Sequence, residues 1–158
     1  MTYVALANIT LGSSASSVTF SSIPATFRDL VLVVNGKATA GGSACRFRVN
    51  GDTGTNYSYV RMYGFSGGTG SDTNTQPFID IGAMNTSDGL LNITNIMDYS
   101  ATDKHKTVLV RAQESALGAV LATAGRWANT AAITSVTVYA GSDQFAAGTT
   151  VALYGIRS

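Results

Sequence analysis

The sequence predicts an all-β fold, a sandwich or barrel of antiparallel strands. About ten short segments rich in β-branched and aromatic residues follow one another at close spacing, separated by turn residues. Several of them alternate apolar and polar residues with a period of two, which is typical of half-buried strands. The 158 residues fit one domain, 1–158, which is long enough to bury a substantial core.

The clearest strands lie near the C-terminus, at 133–140 and 149–156, joined by the loop 141–148. Val136 and Val138 alternate with polar residues in the first strand, as Val151 and Leu153 do with their neighbours in the second. Because such residues must be buried, we expect the last strand to close the sheet, with earlier segments packed around it.

The remaining strands are predicted from the same alternation and from the turn residues that separate them. In chain order they cover 3–11, 16–22, 27–39, 44–50, 57–65, 77–82, 90–99, 105–114 and 117–127. The unbroken apolar run 30–34 indicates a strand covered on both faces. The interior asparagines of 90–99 favour an edge strand, and the glycines of 117–127 favour a strand over a short helix. The Gly/Ser/Thr-rich segment 64–76 is predicted to be a mobile loop.

Period-two alternation also predicts which side chains form the core between two packed antiparallel sheets. The predicted core residues are Leu30, Leu32, Val34, Phe47, Val49, Val108, Val110, Val136, Val138, Val151 and Leu153.

The composition excludes several classes of function. Charged residues make up 12% of the chain, about half the average of about 25% for globular proteins. The net charge of +1 gives no long-range attraction to nucleic acid or to an acidic membrane. Cys45 is the only cysteine, so no intrachain disulfide can form. The N-terminal residues do not have the pattern of a signal peptide and no apolar run reaches membrane-spanning length, so we expect synthesis in a cytoplasm.

Catalytic and metal sites are poorly supported, so we expect neither an enzyme nor a cofactor. The lone His105 lies between two lysines, and Glu114 is the only glutamate. Neither has an obvious partner for acid–base catalysis. Residues 50–56 place oxygen-bearing side chains at alternate positions, as a calcium loop does. Arg61 stands where such a loop needs its final glutamate, and a hairpin turn is the favoured interpretation.

Five residues are candidates for binding a partner. Arg46, Arg48 and Arg61 are predicted to share a face that could hold carboxylates, and the competing interpretation is a solvated face. Phe65 lies in the glycine-rich segment 64–71, a possible contact loop. Trp127, like the tyrosines at 57, 59 and 63, could stack on sugars, although a lone tryptophan in a sandwich usually belongs to the core.

Four segments together resemble a known family. They are ITLGSSASSVTFSSIPATFRDLVL at 9–32, FRVNGDTGTNYSY at 47–59, AAITSV at 131–136 and FAAGTTVALYGI at 145–156. In framework and turns they are similar to small structural proteins of tailed bacteriophage virions, which include capsid decoration (cement) proteins and tail or fibre components. The resemblance implies a single antiparallel β-sandwich that is jelly-roll-like and often trimeric, and it supplies no active-site residues.

The resemblance therefore implies a virion structural protein made in the cytoplasm of a bacterial host. The expected role is capsid decoration, in which a homotrimer binds and stabilises the coat lattice through contacts with the major capsid protein. The expected contact elements are the 90–99 edge, the 64–76 loop and the N-terminal segment. The alternative is a tail or fibre component that binds carbohydrate or a receptor through Trp127 or the tyrosines.

Overall fold

The computed structural model describes residues 2–87, 89–114 and 118–157. All the regular elements within these ranges are β-strands. They are β1 (Thr2–Thr10), β2 (Ser17–Phe20), β3 (Asp29–Gly36), β4 (Ser43–Val49), β5 (Tyr57–Phe65), β6 (Gly68–Gln76), β7 (Ile79–Met84), β8 (Leu90–Met97), β9 (Lys106–Glu114), β10 (Ala119–Trp127), β11 (Val136–Ala140) and β12 (Thr150–Arg157). Within the same ranges, no helix is long and apolar enough to cross a membrane.

The strands form two antiparallel sheets of unequal size. The large sheet has eight strands in the order β1-β12-β3-β8-β9-β10-β5-β6, and the small sheet has four in the order β2-β11-β4-β7. Their inner faces enclose one hydrophobic cluster to which both sheets contribute. The predicted fold class, an all-β sandwich of antiparallel sheets, is confirmed.

The core contains the residues that the period-two alternation predicts to be buried. Each predicted core residue is at most 2% exposed. The largest buried side chains between the sheets include Trp127, Tyr57, Tyr99 and Phe47. Burial of such aromatic residues contributes a large share of the hydrophobic stabilisation, at about 25 cal/mol per Å² of apolar surface.

The C-terminal strands are correctly located but their pairing differs from the expectation. Strand β11 belongs to the small sheet, whereas β12 lies inside the large sheet between β1 and β3. The connecting loop crosses from one sheet to the other, and Phe145 anchors it. The Phe145 side chain is fully buried, and its backbone bridges Ala15 and Ala38. Strand β12 is therefore an interior strand and does not close the sheet.

The expectation that 90–99 forms an edge is wrong. Strand β8 lies in the middle of the large sheet, between β3 and β9. The buried Asn92 of β8 is compatible with this position because its side-chain oxygen and nitrogen both form hydrogen bonds. The Asn92 amide donates to the Ile81 carbonyl oxygen at 2.6 Å and accepts from the Thr94 hydroxyl at 2.8 Å. The edges of the large sheet are instead β1 and β6.

The expectation of a mobile loop at 64–76 is also wrong. The chain turns at 66–67 and returns as β6, which pairs with β5 from Phe65↔Gly68 to Tyr57↔Gln76. Threonine has a high propensity for strands, and the Arg61–Asp72 ion pair across the hairpin reinforces this register.

Candidate interaction surface

Two of the candidate arginines, Arg46 and Arg48, lie on the outward side of the small sheet and are engaged within their own chain. The Arg46 guanidinium lies 4.1 Å from the centre of the Phe78 ring, and its Nε is 3.4 Å from a carboxylate oxygen of Asp80. The Arg48 Nε donates to the Pro77 carbonyl oxygen at 2.7 Å, and its guanidinium lies 4.6 Å from the Tyr139 ring centre. Both arginines therefore contribute to the local packing of the small sheet.

The third candidate, Arg61, does not share their face. It lies on β5 of the large sheet, where its guanidinium contacts the Asp72 carboxylate at 2.5 and 3.0 Å. Burial acts to lower the pKa of Arg61, but the hydrogen bond that it donates to Asp72 and the charges of Asp72 and Asp80 together raise that pKa. Arg61, Phe65 and Glu114 line a depression of about 270 Å³ beside the stacked ring of Tyr63. The structure thus places the candidates in two separate groups, Arg61 with Phe65 here and Arg46 with Arg48 on the small sheet.

Trp127 is only 1% exposed, so its ring cannot stack on a sugar. Its Nε1 donates to the Asp52 carboxylate at 2.7 Å. That carboxylate also accepts from the Gly54 amide at 2.8 Å and from the Asn56 side chain at 2.9 Å. Burial acts to raise the pKa of Asp52, but these hydrogen bonds lower it below its ordinary value. The 50–56 turn therefore uses Asp52 to fasten Trp127.

The two titratable residues considered for catalysis, His105 and Glu114, lie in different surroundings. His105 is exposed in the turn before β9. Glu114 is 7% exposed at the end of β9, where burial raises the pKa of its carboxyl although a hydrogen bond from the Ala83 amide partly opposes this. Among the described residues, no three His, Cys, Asp or Glu side chains cluster as metal ligands.

The most prominent surface feature is the side of the large sheet that faces away from the small sheet, which we call the outer face. Seven large hydrophobic side chains that are at least 39% exposed lie on it. They are Tyr3, Val60, Met62, Leu91, Met97, Leu109 and Val120. Large apolar side chains exposed together on one face of a soluble protein often mark a binding surface.

Sequence reasoning did not identify the outer face, although the sequence contains a signal for it. Apolar runs in β9 and β10 extend to the outward side, because Leu109 stands between two core valines and Val120 lies beside Leu121. Apolar residues that ignore the period of two, as in 108–110 and 119–122, indicate strands covered on both faces. The small sheet covers only one of them.

Arg111 lies near the middle of the outer face. Two depressions, of about 430 and 270 Å³, lie on either side of it, and both are lined by Arg111 and Asn95. Arg111 and Arg126 are both exposed, and neither side chain forms an ion pair or hydrogen bond with a described residue. The nearest outward carboxylate in the register is Asp29, at the start of β3, and it is already bound by Arg28 and by the Asp98 amide.

Comparison with known proteins adds little to this description. No protein-family model and no curated protein sequence matches the chain. Among solved structures, a galectin of Caenorhabditis elegans aligns over 96% of both chains at 10% identity with a TM-score of 0.36. Two variants of one alginate lyase, in complexes with an alginate tetrasaccharide and trisaccharide, align over 95% of this chain and 80% of theirs. Their identities are 8% and 7%, with TM-scores of 0.33 and 0.36. Similarity at this level carries no argument about function.

Proposed function

We propose that this chain is a structural protein of a tailed bacteriophage virion, a capsid decoration protein that stabilises the coat lattice through protein–protein contacts. The observation that carries the proposal is the apolar outer face, which the small sheet leaves uncovered. The sequence resemblance to phage structural proteins supplies the biological setting. A binding role agrees with a site built from apolar side chains and unpaired arginines.

The size of the outer face fits such a role. Eight strands spaced about 4.8 Å apart and about 25 Å long cover about 900 Å². A stable interface buries about 800 Å² on each partner, and its centre is apolar and poor in charges. The outer face is large enough for such an interface, and its central strands β8, β9 and β10 expose Leu91, Leu109 and Val120 around the charge of Arg111.

The proposed oligomer is a homotrimer whose copies meet along sheet edges. Edge strand β1 carries no charged residue, and the only one on β6, Asp72, is held by Arg61. Neither edge therefore has the lysines or prolines that usually prevent strand pairing between molecules. Light scattering on purified protein tests this proposal, and a monomer at micromolar concentration contradicts it.

Immunogold labelling of virions tests the proposed location. Antibodies raised against the purified chain should label the heads of intact particles of the phage that encodes it. Particles that lack the gene should remain unlabelled and should lose DNA more readily on heating. Label on tails would favour a tail component, and absence of label from intact virions would contradict the proposal.

A carbohydrate-binding role remains a second candidate because one depression of the outer face contains two tyrosines. Tyr3 is 60% exposed, and with Tyr154, Asn95 and Arg111 it lines the smaller depression. Aromatic rings beside hydrogen-bonding side chains are suited to sugars. Glycan-array binding that is lost in Tyr154→Ala but kept in Phe65→Ala would favour this role over coat binding.

A further inference from the structure

We propose that the outer face docks onto a different protein whose apolar surface places a carboxylate against Arg111. This inference rests on the proposed function and defines the chemistry of the partner. It also distinguishes the partner from a second copy of this chain.

Arg111 occupies a central position on the outer face. Strand β9 is the fifth of the eight strands, and in it Arg111 lies opposite Ile93 on one side and Ala122 on the other. Leu109 points to the same side two residues earlier. A flat partner that covers Leu109 and the two depressions therefore also covers Arg111.

Covering the Arg111 guanidinium costs free energy unless the partner replaces its water. Arg111 is exposed to water and forms no bond with a described side chain or backbone oxygen. Removing that water without a replacement would leave an unpaired charge in an apolar interface, which opposes binding. A carboxylate provides the planar, bidentate partner that a guanidinium fits best. The partner must therefore carry an aspartate or glutamate within an apolar surrounding.

A second copy of the chain offers no carboxylate to Arg111 from its own outer face. The outward residues of β8, β9, β10 and β5 include no aspartate or glutamate. Two outer faces packed about a twofold axis would bring the central arginines together with no counter-charge. The outward carboxylate at the border of the sheet, Asp29, already accepts bonds from Arg28 and the Asp98 amide. Charge complementarity thus favours a different protein.

The experiment measures binding of purified chain to phage particles that lack it, by co-sedimentation. We expect Arg111→Glu to weaken binding by about 100-fold, because it sets two carboxylates against each other. Arg111→Met, which keeps the apolar stem, should weaken binding by about tenfold, because the partner's carboxylate is then left unpaired. Lys104→Glu is the matched control. It makes the same change in charge in an exposed turn and should alter binding by less than about twofold.

The outcomes separate this inference from the proposed function. If wild-type chain does not bind the particles, both the proposed function and this inference fail. If Leu109→Asp abolishes binding while both Arg111 variants bind like the wild type, the face is used but the carboxylate inference is wrong. The inference also fails if wild-type chain dimerises in solution and Leu109→Asp abolishes that dimer, because a second copy then covers the face. Equal melting temperatures of all variants confirm that the fold is intact.

Discussion

The two faces of the large sheet differ in whether a second sheet covers them, although both carry large apolar side chains. Strand β9 shows this within nine residues, because its positions alternate between buried and exposed from end to end. Val110 points to the small sheet and is 2% exposed, whereas its neighbour Leu109 points away and is 41% exposed. The inner face contributes to folding, whereas the outer face leaves large apolar side chains such as Leu109 in water because no second sheet covers it. The hydrophobicity of a single residue such as Leu109 therefore does not show that it belongs to the core.

The largest effect should come from a charge on the inner face. Val110→Asp would bury a carboxylate among apolar side chains without a partner, and we expect it to lower the free energy of unfolding by about 4 kcal/mol or more. Urea unfolding followed by circular dichroism measures this. A variant as stable as the wild type would show that the two faces have been assigned in reverse.

The same substitution one residue earlier should separate folding from binding. Leu109→Asp should change the free energy of unfolding by less than about 1 kcal/mol, because position 109 is solvated. It should weaken attachment to particles by about 100-fold, since it places a charge at the centre of the interface. Thr19→Asp, on the outward side of the small sheet, is the control. Equal loss of attachment in both variants would contradict the role of the outer face.

A smaller difference in stability is expected between variants of the two cations of β9, Lys106 and Arg111. Lys106 is fully buried, and its Nζ donates to the carbonyl oxygens of Lys104 at 2.8 Å and Thr130 at 3.1 Å. Lys106→Ala should lower the free energy of unfolding by about 2 kcal/mol, because it leaves these carbonyls without their donor. Arg111→Ala should change it by less than about 0.5 kcal/mol. Denaturant titration of both variants tests the contrast, and a similar loss in each would contradict it.

The smallest expected effect is a pH-dependent change in stability caused by Glu114 at the end of β9. Burial raises the folded-state pKa of Glu114 above its unfolded value. Its stabilising contribution is therefore complete below the unfolded pKa and is lost as the pH rises through the folded pKa. Glu114→Gln should be slightly more stable than the wild type at pH 7, and the gain should vanish below about pH 4. Melting temperatures across this range measure it, and a gain that is independent of pH would contradict the assignment.

The sequence was sufficient to locate the strands and the core because alternation is a local pattern. Val136 and Val138 are buried as predicted, and so are Val151 and Leu153. It was not sufficient to assign β11 and β12 to different sheets, because the partners of β12 are β1 and β3, which are distant in the chain. A local pattern contains no information about which distant strand supplies the hydrogen bonds.

The candidate site was predicted only in part, for a related reason. Arg46 and Arg48 do share a face, since they are two residues apart on β4, but Arg61 belongs to the other sheet. The asparagines of β8 suggested an edge because a side-chain bond such as that between Asn92 and Ile81 cannot be inferred from spacing. The outer face was missed because unbroken apolar runs predict two covered faces, and only the structure shows that one of them is open.

The pairing of β12 with β1 and β3 also constrains how the chain can fold during its synthesis. A ribosome adds about 5–20 residues per second, so β1 and β3 would leave it roughly ten seconds before their neighbour is made. During that interval the backbone of β3 has no partner until β8 is made and only β8 afterwards, and β1 has none. Folds dominated by such distant pairings also close slowly. Newly made chains should therefore aggregate most readily before residues 150–157 emerge, and slower translation in the cold would not shorten that exposure.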